Sequence, residues 1–132
     1  MIKTLVYPAG HAMPRGAYST AVKVALPGGG TMLFVTGQLS RAPDGSVIAP
    51  FDASAQTEHI LNLIGEILAA AGMDFGDVVR VQTYLTDMAD FPNFSAVRDR
   101  YLGVARPAST LLEVKGLAHP GCCVEVEVTA MK

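Results

Sequence analysis

The chain has 132 residues, half of them hydrophobic and 17% charged, with a net charge of −2. That length suits one compact domain, and a mean hydropathy of +0.33 is more apolar than a small monomer with its large surface needs, which points to a buried subunit interface. There is no Trp and no cluster of Lys and Arg, which argues against a nucleic-acid surface. No run approaches the ~18 consecutive apolar residues of a membrane span, and residues 1–8 are too short and broken for a secretory signal. The expectation is a soluble, cytoplasmic protein.

Residues 1–16 read as a possible edge strand followed by a loop punctuated by Pro8, Gly10, Pro14 and Gly16. A strand is predicted from Ala17 to Leu26, with Tyr18, Val22 and Val24 as its β formers. Pro27-Gly28-Gly29-Gly30 is a turn; no Lys-Ser/Thr follows it, so it is not a phosphate loop. Thr31–Thr36 returns as a continuously apolar strand, covered on both faces. After a turn at Pro43-Asp44-Gly45, Asp52 or Ser54 can cap a helix. Ile60, Leu63, Ile64, Ile67, Leu68 and Ala71 form its apolar stripe, and Gln56, His59, Asn62 and Glu66 fall off it. Gly72 ends it.

A strand follows over Val78–Leu85, with Val79, Val81, Thr83 and Leu85 on one face and Arg80, Gln82 and Tyr84 on the other. Asp90 is the expected cap of a second helix over Phe91–Leu102, buried through Phe94, Val97 and Tyr101. Two last strands are read at Arg106–Val114 and Cys123–Val128. The second alternates Val124, Val126 and Val128 with Glu125 and Glu127. Its glutamates either both face water, as Glu usually does, or one of them lines a cleft. The order β-β-β-α-β-α-β-β gives a two-layer α+β domain, with one mixed sheet covered on one face by two helices. The other face is left for water or for another chain.

The two cysteines, Cys122 and Cys123, are adjacent, which disfavours a disulfide; with His119 they fall short of a zinc ligand set, so no metal is expected. The chain has no G-x-S-x-G elbow, H-E-x-x-H motif or dinucleotide fingerprint. His11, His59 and His119 are far apart in sequence, and none neighbours a serine.

Four segments together resemble the RidA/YjgF family of enamine/imine deaminases. They are Gly16-Ala17-Tyr18-Ser19; Thr36-Gly37-Gln38; Ala69-Ala70-Ala71-Gly72 before Asp77-Val78-Val79; and Arg106-Pro107-Ala108…Glu113-Val114 with Val124-Glu125-Val126-Glu127. The resemblance implies a chorismate-mutase-like fold over residues 1–132, a homotrimer with clefts between subunits, a small-molecule substrate and no cofactor. It implies Glu125 and Tyr18 as the catalytic groups, Tyr18 on the cleft wall and Glu125 orienting or deprotonating the attacking water. It places Gly37, Thr36, Ser109, Thr110 and Arg106 at substrate-binding positions.

One position departs from the family pattern. The deaminase motif reads Pro-Ala-Arg-Ser, and its arginine grips the substrate carboxylate; this chain has Pro107-Ala108-Ser109-Thr110, with Leu111 where the motif has cysteine. A serine offers one neutral donor in place of a charged, bidentate fork, a loss of roughly 10²-fold for an anionic imine. On an extended strand Arg106 would face away from Ser109, whereas Arg15 and Arg41 lie in loops near the cleft segments and offer charge by another route. Two functions are left open: a cofactor-independent hydrolase or deaminase with altered substrate choice, or a non-catalytic small-molecule-binding or chaperone-like trimer. RNA cleavage, sometimes attached to the family, suits the acidic balance least.

Overall fold

The computed structural model describes residues 2–132. Three antiparallel strands open the chain: β1 (Lys3–Val6), β2 (Ala21–Ala25) and β3 (Thr31–Gln38). The β2–β3 turn uses its glycines as expected, since Gly28, Gly29 and Gly30 all have positive φ, a conformation open to Gly at no steric cost. Helix α1 (Ala53–Ala70), strand β4 (Val78–Leu85), helix α2 (Phe91–Leu102), strand β5 (Ala108–Glu113) and strand β6 (Val124–Met131) follow. The sheet order is β1-β2-β3-β6-β4-β5. The last strand thus enters the middle, antiparallel to both β3 and β4, while β5 pairs parallel to β4 at the edge.

Both helices cover one face. Leu33, Val81, Leu85, Val124 and Val126 of the sheet pack with Ile60, Ile64, Ile67, Leu68 and Phe94 of the helices in one buried core. Asp52, one of the two expected caps, accepts from the Ala55 N–H at 3.0 Å. Gly72 takes φ +78° while Met73 N–H donates back to the Leu68 carbonyl, closing the helix as expected.

The buried arc of α1 is wider than the expected stripe. Leu61, Thr57 and Gln56 are buried, and Leu63 is only half-buried. The reason is that α1 packs against α2 as well as against the sheet, so two adjacent i, i+3/i+4 rows are covered. Gln56 tolerates burial because its amide is fully used. Its Nε2 donates to the carbonyls of Ala49 and Gly121, at 3.0 and 2.8 Å. Its Oε1 accepts from Cys123 N–H at 2.9 Å.

Three local expectations are corrected. Tyr18 lies in a loop before β2, because Thr36 holds that loop: its Oγ1 donates to the Ser19 carbonyl at 2.6 Å and its N–H to that of Thr20. Val79 does not face the core. The pairing of β4 with β6 slips between Val78 and Arg80, so Val78 is buried and Val79 exposed. Asp90 makes no side-chain cap; Asp87 accepts from Ala89 N–H instead, starting a 3-10 turn that leads into α2.

The helix-free face is apolar toward β1 and polar toward β4. Leu5, Val22 and Phe34 stand side by side across three strands, and so do Val24, Met32 and Met131. Leu5, Phe34 and Met131 are exposed. Beside them Tyr84 pairs with Glu125 and Gln82 with Glu127.

The burial pattern is tested by urea melts. Ile64→Ala is expected to cost about 2–5 kcal/mol and Leu63→Ala less than half as much; equal losses would place the core boundary elsewhere.

Candidate active site

Four of the expected site residues meet in a cleft of ≈ 550 Å³: Tyr18, Thr36, Gly37 and Glu125 all line it. Local structure explains why. Strand β3 shifts register against β6 between Val35 and Gln38, and Gly37 sits in that irregularity. Its missing side chain leaves the space that Glu125 uses: a Cβ there would lie 2.5 Å from Glu125 Oε1. Any other residue would push the carboxylate aside.

Glu125 is half-buried, so the second of the two readings of the glutamates holds for it. Burial raises its pKa above the usual carboxylate value, and the charge of Glu127 raises it further. Glu127 is committed elsewhere, accepting from the Tyr84 hydroxyl at 2.7 Å. That hydrogen bond is the largest cause pushing the Tyr84 phenol up to about 12, so Tyr84 stays a donor. One glutamate is therefore held by a phenol, and its neighbour is left facing the cleft with no hydrogen-bond partner among the described residues.

The cleft also gathers what the sequence left scattered, since His11, His59 and His119 all line it. His11 Nε2 meets Glu66 Oε2 at 2.5 Å, tying the loop before Tyr18 to α1. His59 falls off the apolar stripe of α1, yet it is half-buried, with Nε2 3.1 Å from the Arg41 carbonyl. Nothing in the sequence signalled this convergence, because it depends on how two loops fold over α1. Among the described residues no group of three or more His, Cys, Asp or Glu is arranged to hold a metal ion. Both cysteines are free and buried; burial pushes the Cys123 thiol up to about 11, which makes it a poor nucleophile.

The remaining expected residues lie elsewhere on the chain. Ser109 and Arg106 line a separate recess of ≈ 520 Å³ together with Val81 and Leu102. Ser109 pairs with the buried Val81 and so stands on the helix side of the sheet. Thr110 pairs with Gln82 on the helix-free face. The expectation that Arg106 faces away from Ser109 is corrected. Strand β5 begins only at Ala108, and Arg106 adopts φ +49° with its N–H donating to the Leu102 carbonyl at 2.8 Å. It continues the end of α2 and shares the Ser109 recess.

A family model described as endoribonuclease L-PSP, the YjgF/RidA family, matches residues 9–132. The chain belongs to the RidA/YjgF family. It is 32% identical over 130 residues to the 3-aminoacrylate deaminase RutC of Acinetobacter baylyi, covering 98% of each chain. It is 32% identical over 117 residues to the 2-iminobutanoate/2-iminopropanoate deaminase of Mus musculus, covering 89% of this chain and 82% of that one. The crystal structure of RidA from an Antarctic Psychrobacter superposes with a TM-score of 0.84 at 30% identity, covering 96% of this chain and 98% of that one. The RidA fold expected from the sequence is thus the fold of this chain.

The electrostatics of the cleft can be read by carboxyl-carbon NMR titration. Glu127→Gln removes a negative charge beside Glu125, and the Glu125 midpoint is expected to move down toward the ordinary 4.5. A carboxylate raised in the folded state favours folding while protonated, and that contribution is lost as pH rises through the folded pKa. The variant is therefore expected to lose less stability than the parent above that midpoint. An unmoved Glu125 midpoint would mean that the two carboxylates do not interact.

Proposed function

We propose that this RidA-family protein is a cofactor-independent deaminase that hydrolyses an enamine or imine to the carbonyl compound and ammonia. The observation that carries the reading is the Glu125 carboxylate, half-buried at the cleft, with its pKa raised and opposite a residue that has no side chain. An imine carbon is already electrophilic, so a positioned water and a proton relay suffice. Glu125 takes a proton as the water oxygen bonds to the carbon and the C=N electron pair moves to nitrogen, which itself picks up a proton. Solvent supplies that nitrogen proton. The tetrahedral carbinolamine then collapses: Glu125 passes its proton to nitrogen, C–N breaks with its electron pair leaving on ammonia, and C=O forms as the hydroxyl proton returns to solvent. Tyr18 walls the site, and the segment Thr36–Gly37 offers backbone groups for the substrate. The deaminase names of the relatives in Acinetobacter and mouse agree with this chemistry; a chain with net charge −2 and no basic cluster is poorly suited to RNA.

The working form in this proposal is a homotrimer. An exposed face with Leu5, Phe34 and Met131 in it asks for a cover, and a cleft between subunits would let the Ser109–Arg106 recess of one copy approach the Glu125 cleft of the next. Ser109 standing where the deaminase motif has arginine then alters substrate choice without removing the catalytic carboxylate. Phe34→Glu places a charge in the apolar face and is expected to turn trimers into monomers by light scattering; a parent protein already monomeric at micromolar concentration would overturn the assembly.

The activity is tested with 2-imino acids generated in the assay by an amino-acid oxidase. The parent is expected to accelerate ammonia release, and Glu125→Gln to lower the rate at least 10²-fold, the scale of a lost general base. Turnover of 2-iminopropanoate is expected to be slow and to rise in Ser109→Arg. If Ser109→Arg with Glu125→Ala is as active as Ser109→Arg alone, Glu125 has no part in the mechanism. If no imine is turned over by any variant, the protein is a binder.

A further inference from the structure

We propose that Arg41, seconded by Arg15, forms an anion subsite at one end of the cleft, so that the preferred ligand carries a carboxylate remote from its reacting carbon. The proposal rests on the cleft being the deaminase site argued above, and it adds a ligand class to it. Arg41 is half-buried and lines the same cleft as Tyr18, Gly37 and Glu125. It also lines an adjoining recess of ≈ 260 Å³ whose walls include Arg15, Asp44 and Gly45.

Arg41 is held in place by its own hairpin. It bridges Val47 across the turn, its Nε donates to the Gly45 carbonyl at 3.1 Å, and its carbonyl is engaged by His59. The guanidinium lies directly over Gly45, where a Cβ would stand 2.9 Å from Arg41 Nη2 and 3.8 Å from Arg15 Nη2. Two guanidinium groups thus converge on one point. Among the described residues neither has a carboxylate within ion-pairing distance.

The nearby carboxylates are otherwise engaged or stand elsewhere. Asp44 accepts from both the N–H and the hydroxyl of Ser46, at 2.9 and 2.7 Å. Glu66 is bonded to His11. Glu125 lies against Gly37. With Nε anchored to a carbonyl, Arg41 keeps both terminal amino groups for a bidentate contact to an oxyanion. Like charges held together without a counter-ion are costly, and a bound anion relieves that cost. A cleft of ≈ 550 Å³ lies in the range of sites for ligands well above three carbons. An elongated ligand would place its anionic end at Arg41 and its imine carbon near Glu125. The subsite would also supply, from a different loop, the cation missing at Ser109.

Calorimetry on the full chain tests this with two stable products, 2-oxoglutarate and pyruvate, which differ in the remote carboxylate. The parent is expected to bind 2-oxoglutarate at least tenfold more tightly than pyruvate. Arg41→Gln is expected to abolish that preference and Arg15→Gln to reduce it severalfold. Arg15 is exposed, so its variant keeps the test valid should Arg41→Gln fail to fold. Equal binding of the two acids by the parent, or a preference that survives Arg41→Gln, overturns the subsite. An Arg41-dependent preference in a protein that turns over no imine upholds the subsite and refutes the catalytic reading, so the two failures are distinguishable.

Discussion

The buried amide of Gln56 is the contact on which the rest of the arrangement depends. One side chain in the first turns of α1 binds the Ala49 carbonyl before the helix, the Gly121 carbonyl, and the Cys123 N–H at the start of β6. The Ala49 and Gly121 carbonyls also accept from the N–H groups of Asp52 and Phe51, but among the described residues the Cys123 N–H donates to Gln56 alone, and left unsatisfied it would cost about 1–3 kcal/mol. The amide also fixes where β6 begins relative to α1. Glu125 is two residues further on, so the position of the cleft carboxylate is set by a helix packed on the other face of the sheet.

A central β6 has a second consequence. Its alternation puts Val124, Val126 and Val128 under the helices and Glu125 and Glu127 on the helix-free face. Two carboxylates on one face of one strand repel, and the structure separates their roles. Tyr84 gives Glu127 a donor, and the bulge at Gly37 gives Glu125 room. The same face is apolar across β1, β2 and β3, which is where the composition suggested that a second chain would sit. The Glu125 carboxylate thus stands between that apolar patch and the cleft.

Much of the fold was legible because it depends on local periodicity. The element order, the Phe91–Leu102 helix, the glycine turn and the Gly72 stop all follow from patterns of a few residues. What failed involved distant partners. Tyr18 reads as a β former, but Thr36 holds its segment as a loop. Val79 fits the alternation, but a bulge turns it outward. Gln56 reads as a solvated helix residue, because its partners lie at 49, 121 and 123. The position of β6 between β3 and β4 had no signal in the sequence, nor did the meeting of three histidines in the cleft. Of the residues singled out through the family resemblance, Tyr18, Thr36, Gly37 and Glu125 line one cleft, whereas Ser109, Arg106 and Thr110 lie on other surfaces of the single chain.

The central claim is that the empty space at Gly37 exists to hold the Glu125 carboxylate where it can act on water. Gly37 does not need a positive φ, so alanine fits its backbone, and the obstacle a methyl would meet is the mobile end of the Glu125 side chain. Measuring kcat/KM for imine hydrolysis alongside a urea melt of Gly37→Ala separates the two roles of this position. The account predicts a fall in kcat/KM of at least tenfold with a stability change of less than about 1 kcal/mol. Full activity in a stably folded Gly37→Ala protein would contradict it.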